Sequence, residues 1–566
     1  MKRISPNFKK VLITIGILIV LNFVGHFLFH RFDLTADKRY TLSETSLNII
    51  KEVKEPIFIN VFLKGNFPGE FKKLQTETQQ LLDEYKAYNP NISYQFVNPL
   101  ENEKVKDSIV QSFVLRGLTP VNVTLDDKGK QTQEIVFPWA VVSCGERSTK
   151  VALLKNKMGA TTSEKVVSSV QHLEYAFANS FNIVSKKKSK KVAILKGNGE
   201  LQDVLMGDFI LSVRDNYGIG PFSLDSVAKN PNKTLDILKK YDLVVIAKPT
   251  ETFSDSEKQV LDQYIVNGGK TLWLIDPVAV EMEDLYNERG ETLAVPRDLN
   301  LNDMFFKYGI RFNPLLIKDI MATPIALASG QQGSQTQYTQ YPWFFSPMVY
   351  PLESKDKTKQ NPIVSNLDAV KFEFVSPIEG LKNNIDKTIL LQTSPYSKPV
   401  GVPTIIGLKM VGERPNQEEF KGGGNLPVAV LLEGKFNSVF QNRVLAFKDV
   451  TFKPEGKTTK MIVISDGDVV KNQVDKNGKA MELGFDKWTN KQYANKEFLM
   501  NCVNYLLDDN GLINIRNKEV NLPVLDKEKV YADYNFIGIL TLGIPLLVLF
   551  IFGILFTYLR KRKYSK

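Results

Sequence analysis

DLVVIAKPTETFSDSEKQVLDQYIVNGGKTLWLID, residues 242–276, sets out the architecture of the chain. Residues 242–247 are a short apolar run rich in β-branched side chains, the composition of a strand covered on both faces. From 254 to 266 the pattern is that of an amphipathic helix. Ser254 is its N-cap, and Glu257 completes a capping box. Gly268-Gly269 closes the helix, and 270–275 is a second buried strand that runs into Asp276-Pro277. Strand, helix, strand in this order predicts a parallel pair with a right-handed crossover.

The same grammar extends outward. Residues 191–195 read as a strand ending in Lys196-Gly197-Asn198-Gly199-Glu200, with a helix expected over 201–216. Strands return at 428–433 and 460–465, the second ending in Asp466-Gly467-Asp468, and a helix is expected over 496–507. The expected fold class is α/β. Between about 279 and 421 the pattern loosens. The polar, low-complexity stretch QQGSQTQYTQ at 331–340 reads as a mobile loop, and 421–424 (KGGG) as a flexible joint.

The N-terminal third is organised differently. Ser43 is an N-cap for a short helix ended by Pro56, and 57–63 alternates as a strand. A helix over 70–88, a strand over 92–97, a helix over 104–115, hairpins between 121 and 154 with a turn at Asp127-Lys128-Gly129, and a helix over 163–184 follow. This order resembles a thioredoxin-like α/β arrangement. Its loop reads KGNFPGEF, without the cysteine pair of that fold's redox enzymes. The run from Lys186 to Lys191 reads as a solvated linker between this unit and the next.

Two long apolar stretches flank everything else. Residues 11–29 (VLITIGILIVLNFVGHFLF) and about 536–559 are each long enough to cross a hydrocarbon core of ~30 Å. Lys2, Arg3, Lys9 and Lys10 precede the first; Arg560, Lys561, Arg562, Lys563 and Lys566 follow the second. The positive-inside bias places both ends in the cytoplasm and the intervening region outside it. The first stretch lacks a small-x-small cleavage site after it and reads as an uncleaved anchor. Pro545 is expected to kink the second helix. Nine of the basic residues behind the formal net charge of +11 sit in the two tails. The rest is close to neutral, which argues against a nucleic-acid partner.

Chemistry is sparse. Cys144 and Cys502 form no CxxC, and His26, His30 and His172 form no ligand set, so no metal centre, thiol nucleophile or histidine triad is expected. No G-x-S-x-G occurs. Gly268-Gly269-Lys270-Thr271 looks like the end of a P-loop, but Tyr264 stands where the first glycine is required. The motif also leads from helix to strand, the reverse of the required order. It reads as a glycine C-cap turn. One constellation stands out: Asn198 and Glu200 after one strand, Asp276 after another, Asp466 and Asp468 after a third. Loops at the carboxyl ends of a parallel sheet converge on one crevice. Clustered carboxylates there suit a cation or sugar hydroxyls; as ordinary turn and cap residues they bind nothing.

The segments RFDLTADKRYTLSETS, KEPIFINVFLKG, KGNGE, LDQYIVNGGKTLWLIDP, ISDGDVVKN and NKEFLMNCVNYLLDDNGLINIRNK, in this order, resemble the auxiliary proteins of ABC-2-type exporters, in particular gliding-motility-associated members from Bacteroidetes-type bacteria. The middle unit also resembles a glutamine-amidotransferase-like α/β domain without its catalytic cysteine. Related auxiliary proteins often carry G-H-G-E where this chain has Gly197-Asn198-Gly199-Glu200, which weakens an acid–base role for that loop. The resemblance implies a non-catalytic, membrane-anchored, extracytoplasmic subunit without a cofactor. Its partners would be a permease and a separate cytoplasmic ATPase, with envelope or motility proteins as further candidates. An envelope scaffold and a glycan-acting enzyme are the alternatives. The expected organisation is a tail over 1–10, a membrane helix over 11–30, the thioredoxin-like unit over 31–185, a linker over 186–191, the amidotransferase-like unit with long insertions over 192–530, a membrane helix over 534–559 and a tail over 560–566.

Overall fold

The two strands of residues 242–276 lie side by side and parallel, Leu243 opposite Lys270 and Ala247 opposite Leu274. The computed structural model describes residues 6–564 apart from 28–32, 34, 36, 128–129, 187, 353–358, 413, 450, 519 and 521–526. The pair forms the centre of a seven-stranded sheet in the order Asp386–Gln392, Pro427–Lys435, Thr458–Ile464, Lys270–Leu274, Leu243–Ala247, Lys191–Lys196, Gly218–Ser223. The last five of these are parallel, and the first two join antiparallel at one edge. Counted along the chain, the parallel strands stand in the order 2-1-3-4-5, with a topological switch between Lys191–Lys196 and Leu243–Ala247.

Alternate residues of each strand feed two cores. Val192, Ile194, Val245, Leu272 and Leu274 enter one. Ala193, Leu195, Val244, Ile246 and Trp273 enter the other. Both faces are covered, which is why these strands read as unbroken apolar runs rather than as alternation.

Helix Asp255–Val266 has the expected capping box between Ser254 and Glu257. Its polar side, however, is not solvated. Gln259, Asp262 and Gln263 are fully buried and tie down residues 438–453. Asp262 accepts from the Ser438 hydroxyl at 2.5 Å, the Val439 N–H at 2.8 Å and the Tyr308 hydroxyl at 2.8 Å. Gln259 and Gln263 pair with the backbone of Phe447 and Lys453. The amphipathic pattern locates one face of this helix but misses the chain that covers the other.

Edge strand Gly218–Ser223 and helix Pro231–Leu238 were not legible in the pattern. The strand, GIGPFS, carries glycines and Pro221; a missing N–H is tolerated at an edge. The stretch read as a mobile loop is instead part of a long β-hairpin, Ala322–Gln332 with Gln335–Val349. Its two-residue turn has Gly333 at φ +64°. Gln, Thr and Ser on both sides of the ribbon hide its period of two.

The N-terminal third builds a four-stranded sheet, Ile92–Phe96, Ile57–Val61, Trp139–Cys144, Arg147–Ala152, parallel in the first pair and antiparallel in the rest. Helices Gly69–Tyr88 and Thr162–Ser185 meet through the Tyr85–Phe181 ring pair, and the expected succession of elements is present. The turn residues 128–129 lie outside the described residues. Within the basic run, Lys186 pairs with Glu52 at 2.7 Å and Lys190 with Asp509 at 2.6 Å, while Lys188, Ser189 and Lys191 are exposed. Cys144 and Cys502 are both buried and free.

The chain divides into two compact units, Met1–Glu519 and Val520–Lys566. The second holds the one described helix long and apolar enough to cross a membrane, Tyr534–Lys563. A π-turn, Ile539–Gly543, interrupts it just before Pro545, which has no N–H for the regular ladder. At the other end, helix Pro6–Phe27 contains a shorter apolar stretch, Ile13–Phe23; residues 28–30 of the expected span lie outside the described residues.

Candidate functional site at the carboxyl ends of the sheet

The carboxyl ends of the parallel strands deliver the singled-out residues, but in two groups. Asp276, Asp466 and Asp468 converge: each brings a carboxylate oxygen within 4.8 Å of the others. Asn198 and Glu200 bond elsewhere. The Glu200 carboxylate accepts from the Asn198 N–H at 2.8 Å, so the loop's own acid fills the N–H cradle made with Gly197 at φ +120° and Gly199 at φ +70°. Burial raises the pKa of Glu200 against the pull of these N–H groups. The Asn198 amide donates to Glu257 at 3.4 Å, and the Asn198 carbonyl accepts from the Thr250 and Glu251 N–H groups at 3.0 Å. A Cβ on Gly199 would sit 2.1 Å from the Thr250 hydroxyl. The loop is glycine-rich so that two turns can touch.

The three aspartates form the spacing of a divalent-cation site, but a side chain already supplies the positive charge. Lys248, the residue after strand Leu243–Ala247, is buried, and its φ is +54°. Its Nζ lies 2.6 Å from Asp468, 2.6 Å from Glu281 and 3.5 Å from Asp276. A left-handed lysine costs about 1–3 kcal/mol and persists only where its surroundings over-determine it. Here the turn Asp466-Gly467-Asp468 does so. The Gly467 N–H donates to Asp276, and a Cβ on Gly467 would meet the Lys248 stem at 2.4 Å. Asp466 accepts from the N–H groups of Glu373 and Asp468, both at 2.6 Å. Lys471 reaches Glu283 at 2.8 Å and Asp468 at 3.6 Å.

The electrostatics follow. Burial, then Asp468 and Asp276, push the Asp466 carboxyl well above the usual range. Burial disfavours ionised Asp468 too, but Lys248 and Lys471 overcome it and hold its pKa low. Glu281 is pushed up to about 7 by burial and by the charge of Asp468. The folded protein therefore holds the Glu281 proton more tightly than the unfolded chain does. That contribution is fully present below about pH 4.3 and is lost as pH rises to about 7. Glu281→Gln is expected to flatten this fall, measured as urea midpoints at pH 5 and pH 8 for both proteins; an unchanged pH difference would remove Glu281 as its source.

Sequence reasoning found the acids and missed Lys248, Glu281 and Arg297. Only the position of Lys248, directly after the central strand and beside the switch, hinted at its role. The Gly268-Gly269 segment behaves as a helix stop: the Gly268 N–H donates to Ile265 and the Gly269 N–H to Tyr264.

This geometry defines a doubly wound α/β domain in which a lysine–carboxylate network occupies the carboxyl ends of strands Leu243–Ala247, Lys270–Leu274 and Thr458–Ile464. The chain belongs to the family described as an ABC-type uncharacterized transport system, the auxiliary family of such transporters, whose profile matches residues 189–502. A domain of unknown function matches residues 36–143. The chain is 22% identical over 547 residues to an uncharacterized protein of Borreliella burgdorferi, covering 94% of each. Among solved structures, it is similar to the N-terminal domain of mmIFT52 at a TM-score of 0.31 and 13% identity, over 56% of this chain and 99% of that one. A ThuA-like protein from Parabacteroides merdae gives a TM-score of 0.26 at 10% identity, over 60% and 94%.

Proposed function

We propose that this chain is a non-catalytic, extracytoplasmic auxiliary subunit of an ABC-2-type transporter, anchored by a helix at each end with both termini in the cytoplasm. In this reading residues 31–185 are a thioredoxin-like unit and 192–530 an amidotransferase-like unit, and the transporter serves gliding motility. Family membership supports the transporter association. The observation that carries the anchoring is a clamp at Glu174. One oxygen of this buried carboxylate accepts from the Ser43 N–H at 2.7 Å and the Ser46 hydroxyl at 2.8 Å, at the start of the N-terminal unit. The other pairs at 2.6 Å with Lys518, whose Nζ also donates to the Thr41 carbonyl at 2.7 Å. The segment after the first apolar helix and the segment before the second are thus joined at one point, as a domain hung from two membrane helices requires. The lysine that neutralises the clustered carboxylates at the strand ends supports a non-catalytic role.

The test is affinity purification of the full chain from mild-detergent membranes with mass spectrometry of its partners. An ABC ATPase and a multi-span permease in steady ratio are expected. Envelope or motility proteins without either would favour the scaffold reading. Glu174→Gln is expected to cost about 2 kcal/mol of stability. It should also make the chain near residues 40 and 518 easier to cleave by limited proteolysis; unchanged cleavage at both places would count against the clamp.

A further inference from the structure

The β-hairpin Ala322–Gln332 with Gln335–Val349 carries no Asp, Glu, Lys or Arg, and the charge-free stretch extends from Ile320 to Leu352, in a chain of which 24% is charged. The inner end of the ribbon belongs to a core: Trp343 and Phe345 are buried with Phe374. The outer end does not, since residues 336–340 (TQYTQ) are all exposed. Among the described strands, none lies beside the outer edge of Gln335–Val349 until Met348 meets Lys371. Such an edge is a row of backbone N–H and C=O groups ready to pair with another strand. Proteins normally blunt it with lysine, proline or a bulge.

The two edges of this ribbon are treated differently. Strand Ala322–Gln332 carries Pro324 and a bulge at Ser329, where the register slips between Ala328 and Gly330. Strand Gln335–Val349 keeps an unbroken register from 335 to 341, with no proline, glycine or charge in those residues. It is also held in place. The Tyr338 ring lies 5.8 Å from that of Trp488, and the Thr339 hydroxyl donates to the Ser329 hydroxyl at 2.8 Å.

We infer that the edge at 335–341 pairs with the same edge of a second copy of this chain, antiparallel about a two-fold axis, so that two ribbons join into one four-stranded sheet. The absence of charge selects a second copy over a foreign strand. In a two-fold contact the same patch meets itself, so a charge near the axis would face its own kind, and like charges directly opposite are destabilising. A foreign partner imposes no such limit, because it can answer a charge with the opposite one. The side chains also suit their own company: threonines pair across strands, and amides and aromatic rings stack in register. The pairing does not depend on the transporter reading.

The test is a scan of single cysteines at each position from 335 to 341 in the full chain, oxidised in cell membranes; the native Cys144 and Cys502 are buried and stay. A two-fold antiparallel pair sets one residue directly opposite its own copy, with Cα atoms about 4.5–5.5 Å apart, a gap that a disulfide spans. The disulfide-linked dimer should therefore peak at one position and stand well above that of Lys229→Cys, elsewhere on the surface. At the peak position, lysine in both copies should weaken self-association roughly tenfold or more, read by sedimentation in mild detergent. Mixing lysine-bearing with glutamate-bearing chains should restore it. Cross-linking that is equal at every position or no higher than at Lys229→Cys would overturn the proposal. So would cross-linking to a different protein, or a lysine variant that keeps its tryptophan fluorescence and dimerises as well as wild type.

Discussion

Lys248→Met is expected to cost about 3–5 kcal/mol, the loss typical of removing one partner from a buried ion pair. Methionine keeps most of the stem and its packing against Gly467, so the change isolates the charge. Without the ammonium, Asp468 and Glu281 each lose a 2.6 Å partner, and Asp276 loses the cation at 3.5 Å. The protein must then protonate these acids or unfold. Two comparisons separate charge from backbone strain. Lys248→Gly removes the cost of a left-handed φ but also the charge, and should remain strongly destabilised. Lys248→Met combined with Asp468→Asn should recover part of the loss, because one uncompensated charge is gone. The measurement is denaturant unfolding of the full chain followed by tryptophan fluorescence, with Trp273 in the adjoining strand as a natural reporter. A loss below about 1 kcal/mol for Lys248→Met would falsify the view that this lysine neutralises the cluster.

What the sequence made legible, and what it hid, follows from the range of the interactions involved. Local signals carried: the Ser254–Glu257 box, the Ser43 cap and the glycine stop at 268–269 depend on neighbours within five residues, and all are present. The inner parallel strands were readable because burial on both faces leaves each with a continuous apolar run, polar residues standing mainly at the strand ends. Asp276, Asp466 and Asp468 were readable as a group because strand ends in such a sheet share an edge. Asn198 and Glu200 share that edge too, yet their short side chains are spent on their own loop and on Glu257. Lys248 looks like any surface lysine until Asp468, 220 residues later, is folded over it. The polar face of helix Asp255–Val266 was misread for the same reason, since the backbone it holds lies more than 170 residues downstream. The hairpin at 322–349 was misread because glutamine and threonine look alike in a ribbon and in a loop.

Glu497→Ala is the second substitution with a large expected effect, about 3–5 kcal/mol, because it strands two buried cations at once. Glu497 lies in the first turn of helix Asn495–Leu507, which packs on the seven-stranded sheet. Its carboxylate meets Lys155, from the N-terminal unit, at 2.7 Å and Arg516, from the segment that leads out of the domain, at 2.8 Å. Lys155 also donates to the Asn366 carbonyl, and Arg516 to the Pro362 and Ser365 carbonyls. Those neutral acceptors keep both cations in place when the carboxylate is gone, so the charge imbalance has no easy escape. Burial opposes ionisation of Glu497, but Lys155, Arg516 and His172 outweigh it and hold the carboxyl well below its usual range. A depressed acid stabilises the fold above its unfolded pKa, about 4.3, and that stability is lost as pH falls through the folded value. His172, half-buried beside Arg516, acts higher up. Burial and then the charges of Lys155 and Arg516 push its pKa well down, so the unfolded chain takes up a proton first as pH falls below about 6.5. These two groups should therefore contribute a decline in two stages on acidification, the upper one set against the opposite contribution of Glu281. Glu497→Gln should lower the neutral-pH value and remove the lower stage, while His172→Gln should remove the upper stage. Denaturant midpoints taken from pH 7.5 to pH 3 resolve the two. A Glu497→Gln curve parallel to wild type throughout would show that this carboxylate does not join the N-terminal unit to the outgoing segment through its charge.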